Sequence, residues 1–217
     1  MTSTSYAAGH GPSAIIKAIL KVAHECIIPL TRESFARNGA PFGAAVLDGG
    51  SNLEPVAVAV NDWQACPIYH GETNCIIKYS QIPQERRPAP EHCIFFATHE
   101  PCSLCLSSLA WTGFRVIYFL FTYEDAHRML KEKKDVEIIK EIFKVPESGS
   151  AGEGGKETDH ARPFYNKKNK FFSIYSMQEL LGEVEDNEER FRLQQQVAAL
   201  RDAYEEFRRN SEDLLAG

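Results

Sequence analysis

Four residues have the types and spacing of a metal-assisted hydrolytic site. His70 and Glu72 flank Gly71, and Pro101-Cys102-Ser103-Leu104-Cys105 follows downstream. A catalytic zinc takes three protein ligands and keeps a fourth position for water, and His70, Cys102 and Cys105 supply three. Two thiolates offset the charge of the metal and weaken it as a Lewis acid, so the site needs compensation. Pro101 suits a helix boundary, and the residues from Ser103 to Trp111 read as that helix. The thiols then lie at its N-terminal end, where free backbone N–H groups and the positive dipole end favour thiolates. Glu72 is the second compensation, a base beside the reacting water. Residues two apart do not share a helix face, so His70 and Glu72 serve one site only if a helix begins there and meets the metal end-on. Thr73 to Tyr79 allow such a helix.

Two plainer readings compete. His99 lies close before Cys102 and would complete a closed Cys₂His₂ structural site, but structural zinc usually organises smaller domains and this reading leaves Glu72 without a task. A redox C-x-x-C pair is the other, and the upstream His-x-Glu weighs against it. Catalysis accounts for all four residues.

The arrangement H-x-E…P-C-x-x-C is the known signature of zinc deaminases, and the chain resembles the cytidine deaminase-like superfamily, in particular its free-base and tRNA-type branch. The resemblance rests on Pro41-Phe42-Gly43-Ala44, Asn61, His70-Gly71-Glu72 and Glu100 to Cys105, and covers roughly residues 13–130. It implies a three-layer α/β/α sandwich with a central mixed sheet, zinc held by His70, Cys102 and Cys105, and Glu72 as proton shuttle. It also implies substrate-binding roles for Asn61, Phe42 and Gly71. In the implied reaction Glu72 moves a proton from water to a ring nitrogen, hydroxide attacks the amino-bearing carbon, and Glu72 protonates the departing ammonia. Gly71 stands where many relatives carry alanine, as in fungal cytosine deaminase. Pro41 to Ala44, Trp111 and Pro163-Phe164-Tyr165 are more like bacterial guanine deaminases. Guanine and then cytosine are the first substrates expected. A tRNA adenosine deaminase subunit, or an inactive paralogue acting as a partner subunit, are the alternatives; the presence of Glu72 opposes the latter. Family members are commonly dimers or larger, which implies a homo-oligomer.

Composition sets the outer bounds. A chain of 217 residues with 43% hydrophobic content is long enough for one ample core. No apolar stretch is long enough to span a membrane, and the N-terminus lacks the pattern of a secretory signal. Thiols that must stay reduced to bind metal point to a reducing compartment, hence a cytoplasmic location. The net charge of −6, with basic residues interleaved among acids, argues against a nucleic-acid partner and for a small heterocycle.

The elements that must position these residues follow from pattern. A helix runs from a Ser13 cap to about Ile28, with Pro29 interfering with its continuation. Asn38-Gly39 marks a turn before a strand over Phe42–Leu47, and a hairpin at Asp48-Gly49-Gly50 leads into Val56–Val60. Cys93–Ala97 and Arg115–Phe121 read as further strands, with a helix from about Glu124. Residues 146–160 have the composition of a flexible loop, and Phe171–Tyr175 reads as a late strand or a packed segment. The domain reading is a deaminase domain over residues 1–180 and a C-terminal amphipathic helix over 181–217. In that helix Leu193, Val197, Leu200, Tyr204, Phe207 and Leu214 form one stripe, with Ser211 at the remaining seam position. Docking on its own domain, a subunit contact and a heterologous partner all fit it. Trp111 reads as a core or dimer-contact aromatic, Tyr69 as a core residue, Glu100 as a helix N-terminal charge, and Cys26, Cys66, Cys75 and Cys93 as buried thiols.

Overall fold

The computed structural model describes residues 9–38, 40–50, 52–130, 134–143 and 164–209. The expected loop at 146–160, Gly39 of the expected turn, Pro163, Ser211 and Leu214 lie outside these residues.

A five-stranded mixed sheet forms the middle layer, in the order β2-β1-β3-β4-β5. The strands β1 (Gly43–Asp48) and β2 (Pro55–Val60) form an antiparallel hairpin, and β1 also pairs antiparallel with β3 (Cys93–His99). From β3 the sheet is parallel, through β4 (Val116–Phe121) to β5 (Ser173–Ser176). The residues of β3 and β4 are buried along their whole length, as near-continuous apolar strands covered on both faces must be. The late segment around Phe171–Tyr175 is therefore the edge strand β5.

Alternation along the strands separates two cores. Ala44, Val46, Phe95 and Phe119 face α3 (Gly71–Ser80) and α4 (Ser103–Thr112). Ala45, Leu47, Phe96 and Tyr118 face α1 (Pro12–Val22), α7 (Met177–Gly182) and α8 (Asn187–Ala203). The result is the expected α/β/α sandwich, with α5 (Tyr123–Leu130) and α6 (Lys134–Phe143) following β4.

The first helix departs from expectation. Its N-cap is Gly11, with Pro12 in the first turn, rather than Ser13. The chain also stays helical through Pro29: a π-turn over Ala23–Ile27 passes directly into α2 (Ile28–Asn38). Proline inside a regular α-helix clashes with the carbonyl four residues back and removes a donor. The wider π-turn just ahead, closed by the Ile28 N–H on the Ala23 carbonyl, replaces the regular α-helical bonding immediately before the ring.

The C-terminal stripe is buried in its own chain. Leu193, Val197, Leu200, Tyr204 and Phe207 all join the core over α1 and α7. Arg201 fixes the far end, donating to the Leu120 carbonyl at 2.8 Å, pairing with Asp125 at 3.0 Å and lying over the Phe121 ring. Trp111, by contrast, is 92% exposed, so its core reading is excluded. Among the described residues no helix is long and apolar enough to cross a membrane.

Candidate active site

Both ligand-bearing helices begin at the same place. His70 is the N-cap of α3 and Cys102 the N-cap of α4, each with an extended backbone (ψ 162° and 173°) and neither using its side chain to cap. Their side chains are left for the site, and both positive helix ends are directed there. The Thr73 hydroxyl donates to the Ile68 carbonyl at 2.6 Å and the Asn74 amide to the Val60 carbonyl at 2.8 Å, which seats the start of α3 on β2.

His70 Nδ1 lies 3.5 Å from Cys102 Sγ and 3.7 Å from Cys105 Sγ, and the two sulfurs are 3.5 Å apart. A tetrahedral zinc with Zn–S of about 2.3 Å and Zn–N of about 2.0–2.1 Å requires ligand separations of roughly 3.6–3.8 Å. The observed triangle matches to within a few tenths of an ångström. The three residues form the potential metal-binding group among the described residues, and His99 does not belong to it. The closed Cys₂His₂ alternative thus has no fourth ligand. Cys102 is held well below the usual thiol range, chiefly by the hydrogen bond from Cys105 and also by His70, against the effect of burial. His70 is correspondingly raised by its bond to Cys102.

Glu72 is buried in the first turn of α3, and burial followed by the neighbouring Cys102 charge pushes its carboxyl up to about 7. Gly71, between it and His70, packs directly on the backbone: a Cβ there would come within 2.9 Å of Phe42 C and of Gly43 N and Cα, so that the strand start would have to shift. Asn61 ends β2 fully buried. Its amide nitrogen donates to the Ala40 carbonyl at 2.8 Å and the Phe42 carbonyl at 3.1 Å, and its backbone N–H also donates to Phe42, at 2.9 Å. Phe42 is half-buried beside them, and Tyr69, also half-buried, precedes His70.

The structure adds residues that no local pattern marked. Trp63 stands edge-on to His70, with ring centroids 6.2 Å apart, and 6.0 Å from Phe42, making an aromatic wall beside the ligand triangle. Glu100 is not a charge in the first turn of α4, which starts later, at Ser103. Its carboxylate accepts the Tyr165 hydroxyl at 2.6 Å and the Tyr123 N–H at 3.1 Å, while the Tyr123 hydroxyl donates to the Pro101 carbonyl at 2.6 Å. These bonds fix the loop leading into Cys102 from both sides. The only sequence signal was the pairing of Glu100 with Pro101 in the cysteine motif, and its partner Tyr165 is too distant in the chain to infer. Of the other cysteines, Cys75 and Cys93 are buried thiols pushed up to about 12 by burial, whereas Cys26 and Cys66 are only partly buried.

The family comparison agrees with this geometry. Residues 18–121 match the family model of the cytidine and deoxycytidylate deaminase zinc-binding region. No curated protein matches significantly in sequence. Among solved structures, guanine deaminase from Bacillus subtilis is 25% identical, with a TM-score of 0.47 over 71% of this chain and 98% of that one. A tRNA:A34 deaminase acting at the wobble position is 19% identical, with a TM-score of 0.41 over 72% and 97%. Guanine deaminase from Nitrosomonas europaea is 16% identical, with a TM-score of 0.46 over 82% and 84%. Residues 18–121 thus carry the zinc-binding region of the cytidine and deoxycytidylate deaminases.

Proposed function

We propose that the protein removes the exocyclic amino group of a free nucleobase or a small nucleoside-like heterocycle, with guanine and then cytosine as first substrates. The observation that carries this reading is one triangle of a histidine and two cysteines with a buried carboxyl, Glu72, beside it. His70, Cys102 and Cys105 would hold zinc, which when bound acidifies water to a pKa near ~7 and so supplies hydroxide at neutral pH.

The chain's own groups do the rest. Glu72 takes a proton from the attacking water and delivers it to the ring nitrogen next to the amino-bearing carbon; it then takes the remaining hydroxyl proton from the tetrahedral adduct and gives it to the amino group, which leaves as ammonia as the carbonyl forms. A carboxyl that shuttles protons in this way contributes roughly 10²–10⁴-fold. Phe42 and Trp63 offer aromatic surface for a flat ring. Gly71 lets the start of β1 close against the site, and Asn61 holds that segment and orients the base. A hydrogen-bonding pocket of this kind rejects rings that leave its polar groups unpaired.

A free base is favoured over RNA because the chain carries a net charge of −6. The exposed face of α4, with Trp111 and Leu104 both presented to solvent, is the surface we assign to a homodimer contact. Thiol ligands that must stay reduced support a cytoplasmic location. We read residues 1–180 as the deaminase domain and 181–217 as its C-terminal helical appendage.

The test is ammonia release by zinc-loaded protein over a panel of bases, nucleosides, nucleotides, pterins and triazines. Release from a base or nucleoside is the expected result. Silence across the panel, with one zinc per chain, would refute the small-molecule reading.

A further inference from the structure

His99 is a buried titratable group that neither the metal site nor the proton transfer uses. It ends β3, is 4% exposed, and lies among the rings of Phe42, Phe121 and Tyr204, with centroids at 4.8, 4.9 and 6.1 Å. Its Nε2 has no hydrogen-bond partner among the described residues, whereas its Nδ1 lies 3.0 Å from the Thr98 hydroxyl. An imidazole so placed is costly unless its one polar contact matters.

That contact leads to the catalytic glutamate by a short route. Thr98 Oγ1, itself buried, accepts the Gly43 N–H at 2.9 Å. The Phe42–Gly43 peptide is therefore held at both ends: its N–H by Thr98, and its carbonyl by the backbone and side chain of Asn61 at 2.9 and 3.1 Å. The same peptide is the surface against which Gly71 packs, between His70 and Glu72. A hydroxyl has one proton and rotates freely. If Thr98 gives that proton to His99 Nδ1, its lone pairs stay directed at Gly43. The relay uses the tautomer with its proton on Nε2, which leaves Nδ1 as acceptor, and burial, which lowers His99 to about 3, keeps the ring neutral.

The geometry points to His99 as a positioning residue for the reaction: through Thr98 it fixes the Phe42–Gly43 peptide, and with it the placement of His70, Gly71 and Glu72. Its catalytic consequence rests on the deaminase reading, while the hydrogen-bond relay does not. Because the effect is on alignment, kcat should respond more than KM.

The experiment compares zinc-loaded wild type with His99→Leu, His99→Asn and Thr98→Val by hydrogen exchange at the Gly43 amide and by steady-state kinetics. Asparagine places Oδ1 near the position of Nδ1 and preserves the acceptor; leucine keeps the bulk and removes it. His99→Leu and Thr98→Val should speed Gly43 exchange about five- to tenfold, the loss of one net hydrogen bond. They should also lower kcat about 10–100-fold with KM little changed. His99→Asn should restore both. Unchanged Gly43 exchange in His99→Leu and Thr98→Val, or an asparagine as damaging as leucine, would overturn the relay. The predicted Gly43 response in the variants, with a wild type that turns over no heterocycle, would uphold the relay and refute the deaminase reading.

Discussion

The two helical layers cover the same sheet by different means. On one side α3 and α4 point their N-termini at a common spot and bring His70, Glu72, Cys102 and Cys105 together from caps and first turns. On the other side α1, α7 and α8 lie along the sheet and bury long apolar stripes, ending in the aromatic group of Phe35, Phe121, Tyr204 and Phe207. The first layer spends its helix ends on chemistry and accepts short, glycine-limited packing. The second supplies bulk stability and, through Arg201 and Tyr204, supports the carboxyl ends of β3 and β4 from behind. Chemistry should therefore fail with changes in the first layer that leave the fold intact, and stability with changes in the second that leave the metal in place.

The largest effect falls on the metal. Cys102→Ala should reduce zinc affinity by more than about 100-fold while the protein stays folded, read as zinc per chain after dialysis alongside circular dichroism. Retained stoichiometric zinc would break the ligand assignment. Leu200→Ala, in the buried stripe of α8, should cost about 2–5 kcal/mol in denaturant unfolding and leave zinc stoichiometry unchanged. Metal loss in that variant under native conditions would erase the distinction between the layers. Gly71→Ala lies where the layers' roles meet, because its new methyl must displace the start of β1. A stability loss of about 1–3 kcal/mol is expected, with a fall in kcat.

The smallest effect concerns the link between α8 and α5. Burial pushes Asp125 up, but the Thr122 N–H and Arg201 outweigh it, and its carboxyl lies below the ordinary aspartate value. A group depressed on folding stabilises the native state fully above its unfolded pKa of about 3.9 and ceases to do so as pH falls through the lower folded value. The stability gap between wild type and Asp125→Asn should thus be open at neutral pH and close below that range. Urea midpoints measured across the range check it, and a gap independent of pH would contradict the assignment.

The sequence disclosed the site more fully than its surroundings, for a physical reason. Ligand chemistry is written in residue type and short spacing: His70-Gly71-Glu72 and Cys102 to Cys105 demanded two helices that begin at one shared site, and both do. The strands were legible from continuous apolar runs, and the buried stripe of α8 from its periodicity, although what it docks on was not. Relations between distant segments left no local trace. The bonds from the Tyr165 hydroxyl to Glu100 and from the Gly43 N–H to Thr98 join residues with no shared motif. The π-turn before Pro29 was hidden because proline normally marks a helix end, and only the tertiary seat of α1 and α2 makes the exception worthwhile. Of the two readings of Trp111, core and dimer contact, the core one fails because the ring lies on the outer face of α4.

The measurement that bears most directly on the whole account is made on Glu72→Gln, with bound zinc and ammonia release determined on the same preparation. The account predicts one zinc per chain, as in wild type, with turnover of any wild-type substrate reduced by roughly 10²–10⁴-fold. Turnover at the wild-type rate with zinc in place would contradict it, because the buried carboxyl would then have no part in the chemistry.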